Sequence, residues 1–129
     1  MANTLFDKAR QRFLEAQINW LTDTIKVLLV STSAYTVNAS THEFLSDISG
    51  SARIAGPVTL TGKSTAGGAA DGADVTFTAV TGGAIGSIVI YSDTGTEATS
   101  PLLAYLDTAT GLPITPNGGD IAPRYAQAA

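Results

Sequence analysis

The sequence contains no cysteine among its 129 residues, so neither disulfide bonds nor thiolate-bound metals can stabilise the fold. Charged residues are also scarce, at 14% of the chain against about 25% in an average soluble domain. Histidine occurs once, and no apolar run approaches the roughly 20 residues that a membrane-spanning helix requires. Stability must therefore come from packing or from assembly, and we expect no membrane partner.

Positive charge is equally limited, with seven basic residues against eleven acidic ones and a net charge of −4. The only local basic cluster is Lys8, Arg10 and Arg12, whereas neutralising nucleic-acid phosphates needs a larger basic surface. The N-terminus also lacks the basic and apolar regions of a signal peptide. We therefore expect no direct nucleic-acid binding and a product that stays in the cytosol of the cell that makes it.

Hydrophobic residues make up 44% of the chain, and many of them form short runs typical of strands. The length suits one domain, which we place at residues 1–122. Proline interrupts one of the runs at position 57, which favours an edge or the start of a sheet for that strand. The predicted strands are Ile25–Val30, Arg53–Thr61, Val75–Ala79, Ile85–Tyr91 and Leu102–Leu106.

Two helices are predicted before and between the strands. Residues 4–16 carry apolar side chains at helical spacing, and Asp7 in the first turn favours the positive end of the helix dipole. Ser40 and Glu43 have the spacing of a capping box, which predicts a short helix over about residues 41–48.

Glycine-rich segments connect the predicted strands and indicate turns. We interpret residues 62–72 as a mobile loop between strands, and residues 123–129, which have no periodicity, as an extended C-terminal arm. The fold class is therefore mainly β, a β-sandwich or small open barrel with an N-terminal amphipathic helix and one short helix.

Side chains that carry chemistry are few and do not form a reactive set. His42, the single histidine, has no evident partner for nucleophilic catalysis or zinc binding. Gly62-Lys63-Ser64-Thr65 is similar to the end of a phosphate-binding loop, but Pro57 stands where the first glycine is required. We therefore expect a structural or binding protein without a cofactor rather than an enzyme.

Two acidic pairs have the chemistry of a weak calcium site. Asp71 with Asp74, and Asp93 with Glu97, lie in glycine-containing segments and offer carboxylate oxygens. Neither pair has the spacing of an EF-hand loop, and acidic residues in such turns commonly serve turn geometry and solvation. We expect no metal at either pair.

Four segments together resemble small structural proteins of tailed bacteriophages. The likeness spans residues 3–121 and is one of layout, without a mechanistic motif. It is carried by residues 3–8 (Asn-Thr-Leu-Phe-Asp-Lys), 41–48 (Thr-His-Glu-Phe-Leu-Ser-Asp-Ile), 74–80 (Asp-Val-Thr-Phe-Thr-Ala-Val) and 107–113 (Asp-Thr-Ala-Thr-Gly-Leu-Pro). In that family a further strand follows the Asn-Gly-Gly-Asp turn, whereas Pro123 interrupts this chain.

The resemblance implies a virion component, and among these a capsid decoration (cement) protein best fits a cysteine-free, charge-poor β unit. Such a protein binds between major capsid subunits on the capsid surface, after assembly in the host cytoplasm, and commonly forms homo-oligomers. A tail, baseplate or head-tail joining protein would have a similar composition. A carbohydrate-binding module would need exposed aromatic side chains, whereas Trp20 and Tyr91 lie in apolar contexts typical of a core.

The residues that we expect at assembly contacts lie on the first helix, in the 62–72 loop and in the C-terminal arm. The apolar stripe of the helix either covers the sheet of its own chain or reaches a neighbouring subunit. The candidate contacts are Phe6, Phe13, Lys63, Arg124 and Tyr125.

Overall fold

A computed structural model describes residues 4–67, 69–72, 76–106 and 114–119 of the chain. The strands of this part are β1 (Thr4–Leu5), β2 (Ile25–Val30), β3 (Arg53–Thr59), β4 (Ser64–Ala66), β5 (Ala69–Asp71), β6 (Ser87–Ser92) and β7 (Leu102–Leu106). The helices are α1 (Asp7–Leu14) and three short 3₁₀ turns, Leu45–Asp47, Gly50–Ala52 and Glu97–Thr99.

The fold is mainly β, as the sequence predicts, and its centre is one antiparallel sheet of five strands. The strand order is β1-β7-β6-β2-β3, and β4 and β5 form a separate hairpin. The five-stranded sheet is open, because β1 and β3 are its two edges. The coarse fold class is therefore confirmed, whereas the sandwich or barrel is not.

The three central strands, β2, β6 and β7, are buried on both faces. Every side chain of β6 and β7 is buried, and in β2 only Lys26 is partly exposed. Antiparallel sheets commonly leave one face in water, which gives alternating apolar and polar residues. Here the strands have continuous apolar runs instead, so other segments of the chain must cover both faces.

Two of the predicted strands have the predicted bounds, and a third is displaced. Ile25–Val30 and Leu102–Leu106 form β2 and β7 as expected, but the run predicted from Ile85 begins as a strand only at Ser87. The backbone of Ile85 pairs with Ile114 through hydrogen bonds of 2.7 and 2.9 Å instead of joining the sheet. Because of this long-range pairing, β6 begins two residues later in the chain than predicted.

Strand β3 lies at the sheet edge, which confirms the position inferred from Pro57. An edge strand tolerates proline because the missing N–H would face away from the sheet. The strand ends at Thr59, two residues before the predicted end, although the N–H of Leu60 still donates to the Ile25 carbonyl at 2.8 Å.

Helix α1 is shorter at both ends than the predicted helix 4–16, because neighbouring backbone takes other conformations. Thr4–Leu5 pairs with β7 as β1, so the helix cannot begin before Asp7. At the other end Ala16 has a φ of 60°, a left-handed conformation that ends helices. No helix in the described part of the chain is long and apolar enough to cross a membrane.

The helix predicted over residues 41–48 is wrong, and a single 3₁₀ turn, Leu45–Asp47, stands in its place. The expected capping box does not form between Ser40 and Glu43, because the Glu43 carboxylate pairs with Arg12 of α1. A long-range ion pair therefore replaces the local contact on which the prediction depended.

The mobile loop predicted over residues 62–72 is also wrong, since β4 and β5 pair there as a short hairpin around Gly67. Of the strand predicted at Val75–Ala79, only residues 76–79 are described, and they do not form a strand. The φ of 50° at Ala79 is incompatible with an extended chain at that position. The predicted arm, 123–129, lies outside the described residues.

Turns that cover the sheet are held by Asn and Asp side chains that accept hydrogen bonds from backbone N–H groups two to four residues away. Such local bonds satisfy backbone donors in segments that have no strand or helix partner. The acceptors are Asn19, Asp23, Asn38, Asp47, Asp93 and Asn117. They explain how a charge-poor chain fixes long irregular segments.

Replacing Gly56 by alanine should lower the free energy of unfolding by about 2–4 kcal/mol. Gly56 has a φ of +95°, and an added Cβ would lie 2.9 Å from both the Phe77 ring and the Val27 carbonyl oxygen. The matched control is Gly83→Ala, because an added Cβ there meets no heavy atom within 4 Å. Urea unfolding of both variants measures the difference, and equal losses would contradict the assigned packing.

Candidate interaction site

An open cleft of about 190 Å³ lies over one end of the sheet, beside the edge strand β3. The pairing register places Lys26 of β2 opposite Tyr91 of β6, so both side chains lie on the same face of the sheet. Segments that follow β6 and precede β3 complete the walls. The lining residues are Lys26, Leu28, Leu45, Arg53, Pro57, Tyr91, Asp93, Gly95 and Glu97.

One wall of the cleft is an ion pair between Lys26 and Asp93, with 2.9 Å between Nζ and Oδ2. Asp93 follows β6 directly, and its Oδ1 accepts the backbone N–H of Gly95 at 2.9 Å. This N–H, followed by the Lys26 ammonium, holds the pKa of Asp93 below its usual value. The carboxylate therefore stays charged and fixes the turn after β6.

The opposite wall is built on Arg53 at the start of β3. Its guanidinium donates from Nε and Nη2 to the Ile48 carbonyl, at 3.1 and 2.6 Å, and from Nη2 to the Leu45 carbonyl at 2.9 Å. The same group pairs with both carboxylate oxygens of Glu97, at 2.8 and 3.0 Å. Hydrogen bonding and charge from Arg53 lower the pKa of Glu97. Arg53 thus joins the start of β3 to the segment just before it and to Glu97, which is 44 residues further along the chain.

The floor of the cleft includes the ring of Tyr91, which is only 2% exposed. Burial, with a smaller contribution from the negative charge of Asp93, raises the pKa of Tyr91 to about 12. The hydroxyl is therefore protonated at neutral pH. No hydrogen bond from this hydroxyl to another described residue is found.

Hydroxyl side chains stabilise the loop that carries Asp93 and Glu97. Ser100 is fully buried, and its Oγ donates to the Thr96 carbonyl at 2.8 Å while accepting the N–H of Thr94 at 3.1 Å. These bonds close the loop on itself between β6 and β7. The cleft wall is consequently held by its own loop as well as by the two ion pairs.

His42, the single histidine, is not among the residues that line the cleft, and its contacts are structural. Its Nδ1 accepts the backbone N–H of Asn38 at 3.3 Å and lies 2.7 Å from the hydroxyl of Tyr35. Because an N–H can only donate, Nδ1 is the unprotonated nitrogen and the tyrosine donates to it. Burial, followed by the charge of Asp47, raises the pKa of Tyr35, so that it remains a donor.

The candidate assembly contacts have different environments. Phe6 is 0% exposed and belongs to the core, whereas Phe13, near the end of α1, is 37% exposed. Lys63 is partly buried, and its Nζ donates to the Asp23 carbonyl. Arg124 and Tyr125 lie outside the described residues.

Of the two acidic pairs considered in the sequence, only Asp93 with Glu97 has described side chains. Asp93 pairs with the Lys26 side chain and Glu97 with the Arg53 side chain. The side chains of Asp71 and Asp74 lie outside the described residues. No group of three or more His, Asp or Glu residues that could hold a metal is found among the described residues. The segment after Lys63 enters strand β4 rather than a helix, unlike a phosphate-binding loop.

Only part of the cleft is predictable from the sequence. The carboxylates of Asp93 and Glu97 are visible there as candidate ligands, whereas Lys26 and Arg53 are not predicted as site residues and Tyr91 is predicted only as core. A weak signal was present at Lys26, the single charge within an apolar strand. No local pattern marks Arg53, because its partners at 45, 48 and 97 are brought to it only by the fold.

The chain matches no protein-family model and no curated protein.

Replacing Arg53 by methionine should lower the free energy of unfolding by about 2–3 kcal/mol, since two backbone carbonyls lose a charged donor. Glu97→Gln is the matched variant, because it weakens the ion pair while leaving the carbonyl contacts intact. Urea unfolding should show a much smaller loss for Glu97→Gln. Comparable losses would show that the exposed ion pair, rather than the carbonyl contacts, accounts for most of the stability that Arg53 contributes.

Protonating Asp93 should destabilise the fold in acid. Its pKa is lowered from 3.8 in the folded state, so its contribution is present above that value and is lost as pH falls through the folded pKa. Asp93→Asn should therefore be less stable than the wild type at neutral pH, with the difference narrowing below about pH 4. Urea unfolding of both proteins across this pH range measures the difference in unfolding free energy. A difference that does not change with pH would show that ionisation of Asp93 is not linked to folding.

Proposed function

We propose that the protein is a structural component of a bacteriophage virion, and most specifically a capsid decoration protein that binds between major capsid subunits. The observation that carries the proposal is the distribution of exposed apolar side chains. Among the described residues, the exposed large hydrophobic side chains are Phe13, Leu14 and Leu21, which fall within one nine-residue stretch. Leu14 is 88% exposed and Leu21 is 51% exposed. Concentrated apolar exposure is typical of a surface that binds another protein.

The polar groups described above support an assembly role over catalysis. His42, Asp93, Arg53 and Lys63 each hold backbone or another side chain of the same chain. Their contacts position loops, as expected for a rigid unit that presents a surface. The resemblance of the sequence to small virion proteins implies that the partner is a major capsid protein or another virion protein.

Stabilisation of a capsid by such a protein follows from linkage. A molecule that binds only the assembled shell shifts the equilibrium towards that shell, and repeated symmetric placement multiplies a modest affinity. A surface of small uncharged side chains suits close contact, because little side-chain entropy is lost on binding. No single strong site is required.

A tail, baseplate or head-tail joining protein is the second candidate, and the open sheet favours it. Among the described strands β1 and β3 are the two edges, and such edges allow subunits to pair edge to edge in a ring or tube. Pro57 within β3 and the two-residue length of β1 limit that pairing. Electron microscopy of the purified protein distinguishes the candidates, since rings or tubes would favour the second.

The sandwich expected from the sequence is also a proposal. Residues 80–85 and 114–119 pair with each other, through Ile85 with Ile114 and Val80 with Gly118 and Gly119. This pairing supports a second layer against the sheet. A carbohydrate-binding module has less support, because Trp20 packs against the core and Tyr91 is almost fully buried.

Replacing Leu14 and Leu21 by serine should weaken assembly without weakening the fold. Both side chains are exposed, so we expect unfolding free energies within about 0.5 kcal/mol of the wild type. Binding to expanded, empty bacteriophage capsids, or self-association, should weaken by about tenfold or more. Sedimentation measures both associations, and Lys8→Ser, an exposed polar position on the same helix, is the control. A wild-type chain that stays monomeric and ignores capsids would overturn the proposal.

A further inference from the structure

The cleft beside β3 contains more hydrogen-bond donors than its own acceptors use. Each carboxylate oxygen already has a partner: Asp93 takes Gly95 and Lys26, and Glu97 takes Arg53 at both oxygens. The Lys26 ammonium has three N–H donors, of which Asp93 takes one. The Tyr91 hydroxyl donates to no described residue. The remaining N–H groups of Lys26 and the O–H of Tyr91 can therefore donate to an acceptor on a bound ligand.

The charges of the cleft favour a neutral acceptor over an anion. Two cations, Lys26 and Arg53, are matched by two carboxylates, Asp93 and Glu97, so the walls carry no net charge. An added anion would lie beside both carboxylates and lose much of its attraction to the lysine. A carbonyl oxygen accepts from an ammonium and a phenol without adding charge.

Size and position point to a short piece of polypeptide. The volume of about 190 Å³ is below the roughly 300–1,000 Å³ of typical small-molecule pockets. Leu28, Leu45 and Pro57 supply apolar surface for the atoms that flank a carbonyl. The cleft also adjoins an edge strand, the usual docking place of an extended peptide.

Pro57 explains why the cleft, rather than the strand edge, would make the main contact. A peptide added along β3 would meet no N–H at Pro57, and the positive φ of Gly56 distorts the strand just before it. A continuous ladder of main-chain hydrogen bonds cannot extend across these two residues. Donors from side chains would take the place of the missing backbone donor.

We propose that this cleft binds an extended peptide segment of the partner protein, with one main-chain carbonyl accepting hydrogen bonds from Lys26 Nζ and the Tyr91 hydroxyl. The inference rests on the proposed assembly function and names a contact within it. Tyr91 positions the segment by a hydrogen bond that is absent from the free protein. The exposed apolar stretch at 13–21 is a separate surface in this scheme.

Titration of the ¹⁵N-labelled full chain with N-acetylglycine N-methylamide, a minimal peptide, tests the proposal by NMR. We expect saturable shifts at the amides of Tyr91, Asp93 and Gly95. Tyr91→Phe should weaken binding by roughly three- to tenfold, the value of one hydrogen bond, while leaving the rest of the spectrum unchanged. Lys26→Gln should weaken it similarly, which gives a second variant should Tyr91→Phe disturb the fold.

The matched control is Tyr35→Phe, which removes a hydroxyl that donates to His42 away from the cleft and should leave peptide binding unchanged. Acetate and methyl glucoside are the comparison ligands. No saturable shift at the cleft, equal affinity in Tyr91→Phe, or tighter binding of acetate or the sugar would each overturn the proposal. If the chain binds capsids but not the minimal peptide, only the proposed cleft contact is wrong. If it binds the peptide but not capsids, the proposed assembly function is wrong instead.

Discussion

Burial of three adjacent strands on both faces is the constraint on which the rest of this structure depends. In β2, β6 and β7 the apolar side chains point alternately to two sides, and each fully buried Val, Leu or Ile contributes about 1.5–3 kcal/mol. A sheet of this kind is stable only when both sides are covered. With a single eight-residue α-helix in the described part, most of that cover comes from segments without regular structure.

Irregular cover creates a second problem, because its backbone N–H and C=O groups need partners away from water. The chain solves it locally, with Asn and Asp side chains that accept neighbouring N–H groups. A charged side chain also contributes, because the Arg53 guanidinium donates to the carbonyls of Leu45 and Ile48, eight and five residues before it. The few charges of this protein therefore act largely inside its architecture. That use leaves a surface rich in small neutral side chains, which suits association with another protein.

The cleft lies where a charged side chain interrupts the apolar run of β2. Lys26 is the one partly exposed side chain of β2, and it lies opposite Tyr91 near the end of the sheet. Asp93 and Glu97 follow β6 in a loop that its own hydroxyl groups close. Opposite charges meet there around an almost fully buried phenol, so the site combines a rigid frame with unused donors. Rigid frames of this kind favour recognition of a fixed ligand geometry, since little needs to be reorganised on binding.

The amino-acid sequence alone determined the strands that consist of one short apolar run and are almost entirely buried. Ile25–Val30 and Leu102–Leu106 were predicted with correct bounds, because a continuous β-branched and aliphatic run has few alternatives. The edge position of β3 followed from Pro57 for a similar reason, since proline removes a backbone donor wherever it occurs.

Only the tertiary structure decided the features that depend on partners distant in the chain. The helix predicted at 41–48 is absent because Glu43 pairs with Arg12 rather than with its neighbours, and β6 starts late because Ile85 pairs with Ile114. The cleft needed residues from positions 26, 53 and 91 to meet. Local helix propensities differ by free energies comparable to that of a single hydrogen bond. One long-range contact can therefore override the local preference of a segment.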